Sequence, residues 1–244
     1  MLGIHIAALI AAAIALAVLG GILVKRRVGP WLLLLSLVLL QLPMSAAAFD
    51  YVRVPIDGWV RAAVPDRETH TFLTLFYAPL LEEPAKLWPL LLPWVWRRLD
   101  RANAWSIGTA LGLGFGLGEI AFLAERLAST PAVAALPWQR LSGFAAERAM
   151  VCVWHAAFTT LTVWAAARRP SLIPAALLGS AALHLVGNLP IYLAARNPLG
   201  WSAQVLEEAL LVWVIVYTIA MALLLARLAR RTPPHRDARE ARPA

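Results

Sequence analysis

Charge is scarce in this chain. Of 244 residues only 15% are Asp, Glu, Lys or Arg, and only two are lysine, Lys25 and Lys86. A soluble domain of this length needs a charged shell. With 61% apolar residues and a mean hydropathy of +0.69, little is left to build one. Cysteine is nearly missing too. Cys152 alone cannot form an intrachain disulfide, and its apolar surroundings predict a small buried side chain. What is plentiful is hydrocarbon, in several runs longer than the roughly 18 residues that span about 30 Å of bilayer. These absences exclude a soluble globular domain and predict an all-α fold, a polytopic transmembrane helical bundle.

The spacing of the runs predicts about seven spans, at 2–24, 30–49, 71–96, 104–127, 146–167, 171–195 and 205–228. The segments 50–70, 128–145 and 196–204 read as loops. Residues 1–229 form the transmembrane domain, and 230–244, with Pro233, Pro234 and mixed charges, read as a disordered cytoplasmic tail. The net charge of +8 does not imply nucleic acid, because the arginines stand in short runs where apolar segments end. Of the 22 Lys and Arg, 14 fall in the junctions after spans one, three and five and from Arg227 onward. Seven fall on the other side. The positive-inside rule then places the N-terminus outside and the C-terminus in the cytoplasm. Positive charge follows the first span instead of preceding it, so that span reads as retained rather than as a signal peptide. The expected location is a cell membrane, the inner membrane of a bacterium, with lipid bilayer as surroundings. Trp31, Trp96, Trp105, Trp138 and Trp201 near span ends read as interfacial anchors.

Against this apolar background a few residues are expensive. Glu82, Glu83, Lys86 and Glu119 fall well inside spans, joined by His155, His184 and Asn188. Each formal charge costs about 2.5–3.5 kcal/mol at the bilayer centre, so such residues face the bundle interior and pair. At about 1.5 Å per residue, Glu82, Glu119, His155 and His184 lie roughly 12–16 Å below the outer ends of their spans. Four helices of alternating direction thus bring them to one level. Helical spacing predicts an ion pair between Glu82 and Lys86, with Glu83 about 100° away. His184 and Asn188 share a face, as do Arg148 and His155. Arg148 itself reads as interfacial. Pro79, Pro84, Pro89 and Pro93 break the helical ladder around the carboxylates, which needs neighbouring protein or water. Gly112, Gly114, Gly116 and Gly118 make the fourth span thin before Glu119.

A carboxylate near imidazoles, an amide and a lodged water suits hydrolysis. An ionised glutamate can take a proton from water as a general base. A histidine can orient that water or protonate a leaving amine, and Asn188 with a histidine can hydrogen-bond an oxyanion. No activated serine or cysteine stands at this level, which disfavours a nucleophilic route. Zinc is the alternative, held by Glu82, Glu119, His155 and His184. There is no HExxH spacing to support it.

These residues resemble the membrane proteases related to the CAAX-processing enzymes, of the PrsW and YhfC types. The resemblance rests on Glu82-Glu83-Pro84-Ala85-Lys86, Phe115-Gly116-Leu117-Gly118-Glu119, Glu147-Arg148 through His155, and His184-Leu185-Val186-Gly187-Asn188, across about 75–195 within a motif-bearing core at about 71–195. Val151 departs from the phenylalanine that some members carry four before the histidine. The resemblance implies a glutamate-dependent intramembrane peptidase acting on a membrane protein or lipid-modified peptide. Glu82 would be the base, Glu83, Glu119, His155, His184 and Asn188 the rest of the catalytic set, and Lys86 their support. Some relatives are labelled metalloproteases and others act as scaffolds. A non-catalytic scaffold and an ion-relay transporter are therefore the competing expectations.

Overall fold

In the computed structural model, residues 2–25 and 31–232 are described. Among them no strand occurs. The chain runs through α1 (Leu2–Lys25), α2 (Trp31–Ala63), α3 (Arg67–Ala85), α4 (Ala104–Ala128), α5 (Trp138–Arg168), α6 (Pro170–Arg196) and α7 (Ala203–Arg230). All but α3 are long and apolar enough to cross a membrane, which makes six such helices. The chain is a multi-pass membrane protein.

The expected third span, 71–96, is the exception. The helix stops at Ala85, a tight 3-10 turn follows at Trp88–Leu91, and a last turn occupies Pro93–Trp96. Pro89 and Pro93 have no N–H to continue the ladder and disfavour helix in the residue before them. Leu92, just before Pro93, is accordingly extended. The broken segment still runs the length of the bundle. Near its start Glu68 meets Arg196 at 2.8 Å. Near its finish Val95 packs among Leu33, Trp105, Val163 and Leu228. Consecutive helices alternate in direction, and the start of α1 lies against Leu136 and Trp138.

Three further expectations need correction. The segment 50–70 is mostly helical: after a bend at Pro43, α2 continues through a wide π-type turn at Ala48–Arg53 and on to Ala63. The segment 128–145 holds short helical turns at Pro131–Ala134 and Trp138–Leu141. Trp105 is buried, its Nε1 donating to the Leu225 carbonyl, whereas Trp31, Trp96, Trp138 and Trp201 are exposed. The tail from Pro233, and Arg26 with Arg27, lie outside the described residues.

The centre of the bundle is α4. Its glycines present bare backbone on two faces. A Cβ added at Gly108, Gly112 or Gly116 would come 2.5, 2.4 and 2.8 Å from Thr160, His155 and Cys152 of α5. One added at Gly114 or Gly118 would come 2.5 and 2.1 Å from the Val38 and Leu42 carbonyls of α2. Small residues let backbones approach where lipid offers no hydrophobic drive for association. The antiparallel pairing of Gly108 with Thr160, Gly112 with Ala156 and Gly116 with Cys152 continues to bring residues 119–120 opposite 148–149. The glycine spacing thus sets the register in which Glu119 meets α5.

Candidate active site

That register places Glu119 between two partners on one face of α5. Its Oε2 accepts from His155 Nε2 at 2.7 Å, and Arg148 Nη1 lies 3.4 Å from its Oε1. Arg148 also donates through Nε to Glu147 Oε2 at 2.5 Å. Arg148, read from the sequence as interfacial, is therefore part of the cluster. Only 14% of its side chain is exposed. Phe115, one helical turn before Glu119, sets its ring edge-on to His155 at 5.2 Å.

The second carboxylate pair comes from the end of α3. The expected Glu82–Lys86 pair does not form. Lys86 Nζ donates to Glu83 Oε1 at 2.5 Å. Lys86 caps the helix at the point where the chain tightens, and the three-residue partner is the one in reach. This lysine is fully buried, and its ammonium also lies over the Phe115 and Phe158 rings at 4.9 and 5.6 Å. Such contacts with ring faces compensate a desolvated cation. The Lys86 carbonyl, orphaned by the helix break, accepts from Gln41 Nε2 of α2 at 2.5 Å.

With Glu83 committed to Lys86, Glu82 turns to other partners. Its Oε1 lies 3.3 Å from Arg53 Nη1, and its Oε2 lies 3.8 Å from His184 Nε2. The other nitrogen of His184, Nδ1, donates to Glu83 Oε1 at 2.7 Å. A proton on Nδ1 leaves the Nε2 lone pair facing Glu82. His184 stacks on Phe158 at 5.6 Å and stands nearly perpendicular to His155 at 5.8 Å. Helix α6 is held in place by Tyr217 Oη donating to the Leu183 carbonyl at 2.6 Å and by Trp213 Nε1 donating to the Gly187 carbonyl.

These groups enclose a cavity of about 100 Å³ whose polar lining is Arg53, Glu82, Glu119, Arg148, His155, His184 and Asn188. That volume holds water. A second cavity of about 70 Å³ shares Arg53, Glu82 and Glu119 and is otherwise walled chiefly by Phe49, Phe115, Phe122 and Leu123. Glu82 and Glu119 thus stand where a polar chamber meets an aromatic one. Of the residues singled out from sequence, Glu82, Glu119, His155, His184 and Asn188 reach the polar chamber. Glu83 and Lys86 stand behind it.

Arg53 was missed because its segment read as a loop. The wide turn at Ala48–Arg53 re-phases α2, with Phe49 packing on Phe122, Asp50 pairing with Arg126, and Arg53 reaching Glu82. Extra-wide turns of this kind recur at functional sites. The signal was charge balance: three glutamates at one level against a single lysine call for further cations.

Among the described residues, no group of three or more His, Cys, Asp and Glu side chains is arranged to hold a metal ion. The nitrogen that His155 would offer to zinc is turned onto Glu119, and His184 shares only Glu82 across the chamber. The zinc set of Glu82, Glu119, His155 and His184 does not fit this arrangement. Comparison of the chain with protein-family models, curated proteins and solved structures gives no match.

Proposed function

We propose that this protein is an intramembrane peptidase in which Glu82 activates a water molecule. One observation carries the reading: Glu82 Oε2 and His184 Nε2 face each other across 3.8 Å at the wall of a water-sized polar chamber. Two acceptors at that separation can both receive hydrogen bonds from one water. The water gives a proton to Glu82 as its oxygen attacks the peptide carbonyl carbon. The carbonyl oxygen then takes up negative charge and is met by the Asn188 amide and a guanidinium, Arg53 or Arg148. The C–N bond breaks as Glu82 returns the proton to the amine nitrogen. Glu83 holds the His184 tautomer, and Lys86 keeps Glu83 ionised. The Glu119–His155–Arg148 group forms the facing wall. The resemblance of the four motifs to CAAX-related proteases of the PrsW and YhfC types supports the same chemistry. It suggests a membrane protein or lipid-modified peptide as substrate.

The orientation belongs to this reading. With the arginine-rich end in the cytoplasm, the chamber opens nearer the outer leaflet, and the N-terminus lies outside. An ion relay has less support, because titratable groups would have to step through the bundle. The arginine-rich half is instead packed with Leu34, Leu37, Ile107 and Leu111, each 2% exposed or less.

The test is the Glu82→Gln variant, purified beside its parent and assayed on membrane-tethered peptides, with thermal melts of both. We expect at least a roughly hundredfold loss of turnover, the scale of a removed general base, with the melt unchanged. Equal cleavage by variant and parent would remove Glu82 as the base. A chelator is expected to leave turnover unchanged.

A further inference from the structure

Another cavity lies at the far end of the bundle, well removed from the chamber. It encloses about 180 Å³ and is lined by Arg101, Trp164, Arg168 and Arg231. The three arginines come from three separate places: the turn before α4, the last residue of α5, and the residue after α7. None of the three has an ion-pair partner among the described residues. Asp100 is the acid nearest in sequence, and its Oδ1 is occupied by the backbone amides of Ala102 and Asn103 at 2.8 Å each. Arg168 is held in place by the Trp164 ring, with its guanidinium carbon 3.7 Å from the ring centroid.

The three guanidiniums line one void while staying open to solvent, so an anion arriving from outside can sit among them. Planar forks of this kind match phosphate oxygens in pairs. The position narrows the source of that phosphate. The void lies just past the apolar packing of Val95, Trp105, Val163 and Leu228, where a bundle crossing a bilayer reaches headgroup level. Basic pockets between helices at this level on the cytoplasmic side hold anionic headgroups. We infer that Arg101, Arg168 and Arg231 form a binding site for the phosphate of an anionic phospholipid, with Trp164 as its floor. The site is independent of the peptidase reading. Bound lipid would tie the ends of α5 and α7 to the turn that starts α4.

The experiment uses the full chain in neutral detergent. Phosphatidylglycerol, phosphatidylcholine and inorganic phosphate are titrated separately, reading the melting temperature and the lipids retained by native mass spectrometry. Phosphatidylglycerol is expected to raise the melt and be retained, and the other two are not. The double variant Arg101→Gln/Arg231→Gln is expected to weaken lipid binding by about tenfold or more. The control Arg97→Gln/Arg230→Gln removes the same charge from residues at the same end that do not line the void and is expected to keep binding. Equal retention of phosphatidylcholine, an equal shift from inorganic phosphate, unchanged binding by the first double variant, or an equal loss in the control would each overturn the site.

Discussion

Around Glu119 the bundle gathers four carboxylates, three cations and two imidazoles. Two turns earlier on the same helix, around Leu111 and Leu37, the buried side chains are hydrocarbon with a few hydroxyls, Thr109 and Thr160 among them. One helix, α4, passes through both regions without a break. The contrast therefore does not come from different secondary structure. It comes from what the neighbouring helices present to a glycine-thinned backbone. In the hydrocarbon half the partners are branched side chains in close packing. In the charged half α3 ends, its carbonyls need donors, and the freed space becomes a chamber. The difference teaches that broken helix and buried charge belong together here: at the end of α3 Lys86 pairs with Glu83, and Glu82 is left to the cavity.

The sharpest way to break this contrast is to remove its buried cation. Lys86→Met takes the cation from buried Glu83, leaving it only the His184 hydrogen bond, and should destabilise the fold by about 3–5 kcal/mol. The double variant Lys86→Met/Glu83→Gln should recover much of that stability without recovering turnover, because a neutral amide holds His184 less firmly. Chemical denaturation and peptide cleavage, run on the same samples, check both statements. A double variant as unstable as the single one would show that Lys86 does more than neutralise Glu83. In the hydrocarbon half, Leu37→Ala should cost about 2 kcal/mol through lost packing. Turnover per folded molecule should stay at the parent's level. A fall in specific activity would show that the two halves are coupled.

Gly112 lies between the halves. Its added Cβ would meet the His155 carbonyl at 2.4 Å, so Gly112→Ala forces α4 and α5 apart. The expected loss is about 1–3 kcal/mol. Turnover should also fall, because His155 and Glu119 share that register. An alanine variant with parental stability and activity would contradict the close approach.

The smallest effect lies at the entrance to α3. Asp66 accepts from the Thr69 amide at 2.7 Å, and hydrogen bonding by the Thr69 side chain and amide holds its carboxyl below the usual range. A depressed folded-state pKa gives stability that is present above the unfolded value of about 3.9 and is lost as pH falls through the folded one. Hydrogen exchange at the Thr69 amide, corrected for intrinsic rate, should therefore rise only below about pH 4. Asp66→Asn should show no such step, and a step at higher pH would point to another group.

Much of the framework was legible in the sequence because bilayer thickness constrains it. Run lengths gave the long helices, and depth arithmetic put Glu82, Glu119, His155 and His184 at one level, where the structure brings them together. What stayed hidden depended on departures from ideal helix. Counting four residues from Glu82 to Lys86 picks one of two neighbours that share a helix face with the lysine, and the lysine pairs instead with Glu83, three residues back. Reading 50–70 as a loop between apolar runs overlooked the charged helix that continues to Ala63. Those same charges are pairing groups on a helix whose phase a wide turn has shifted. Arg53 was invisible for that reason. The placement of Arg148 failed differently: its distance along α5 was read as nearness to the interface, but Glu119 draws it inward.

The bare faces of α4 have one more consequence. Where side chains separate two helices, rotamer changes can absorb a shift of an ångström or so. Here backbone rests on backbone toward both α2 and α5, so nothing compressible lies between Glu119 and the helices that set its place. The spacing between carboxylate and imidazole is gauged like a shim against solid stops: steady under thermal motion, and unforgiving of a single added methyl.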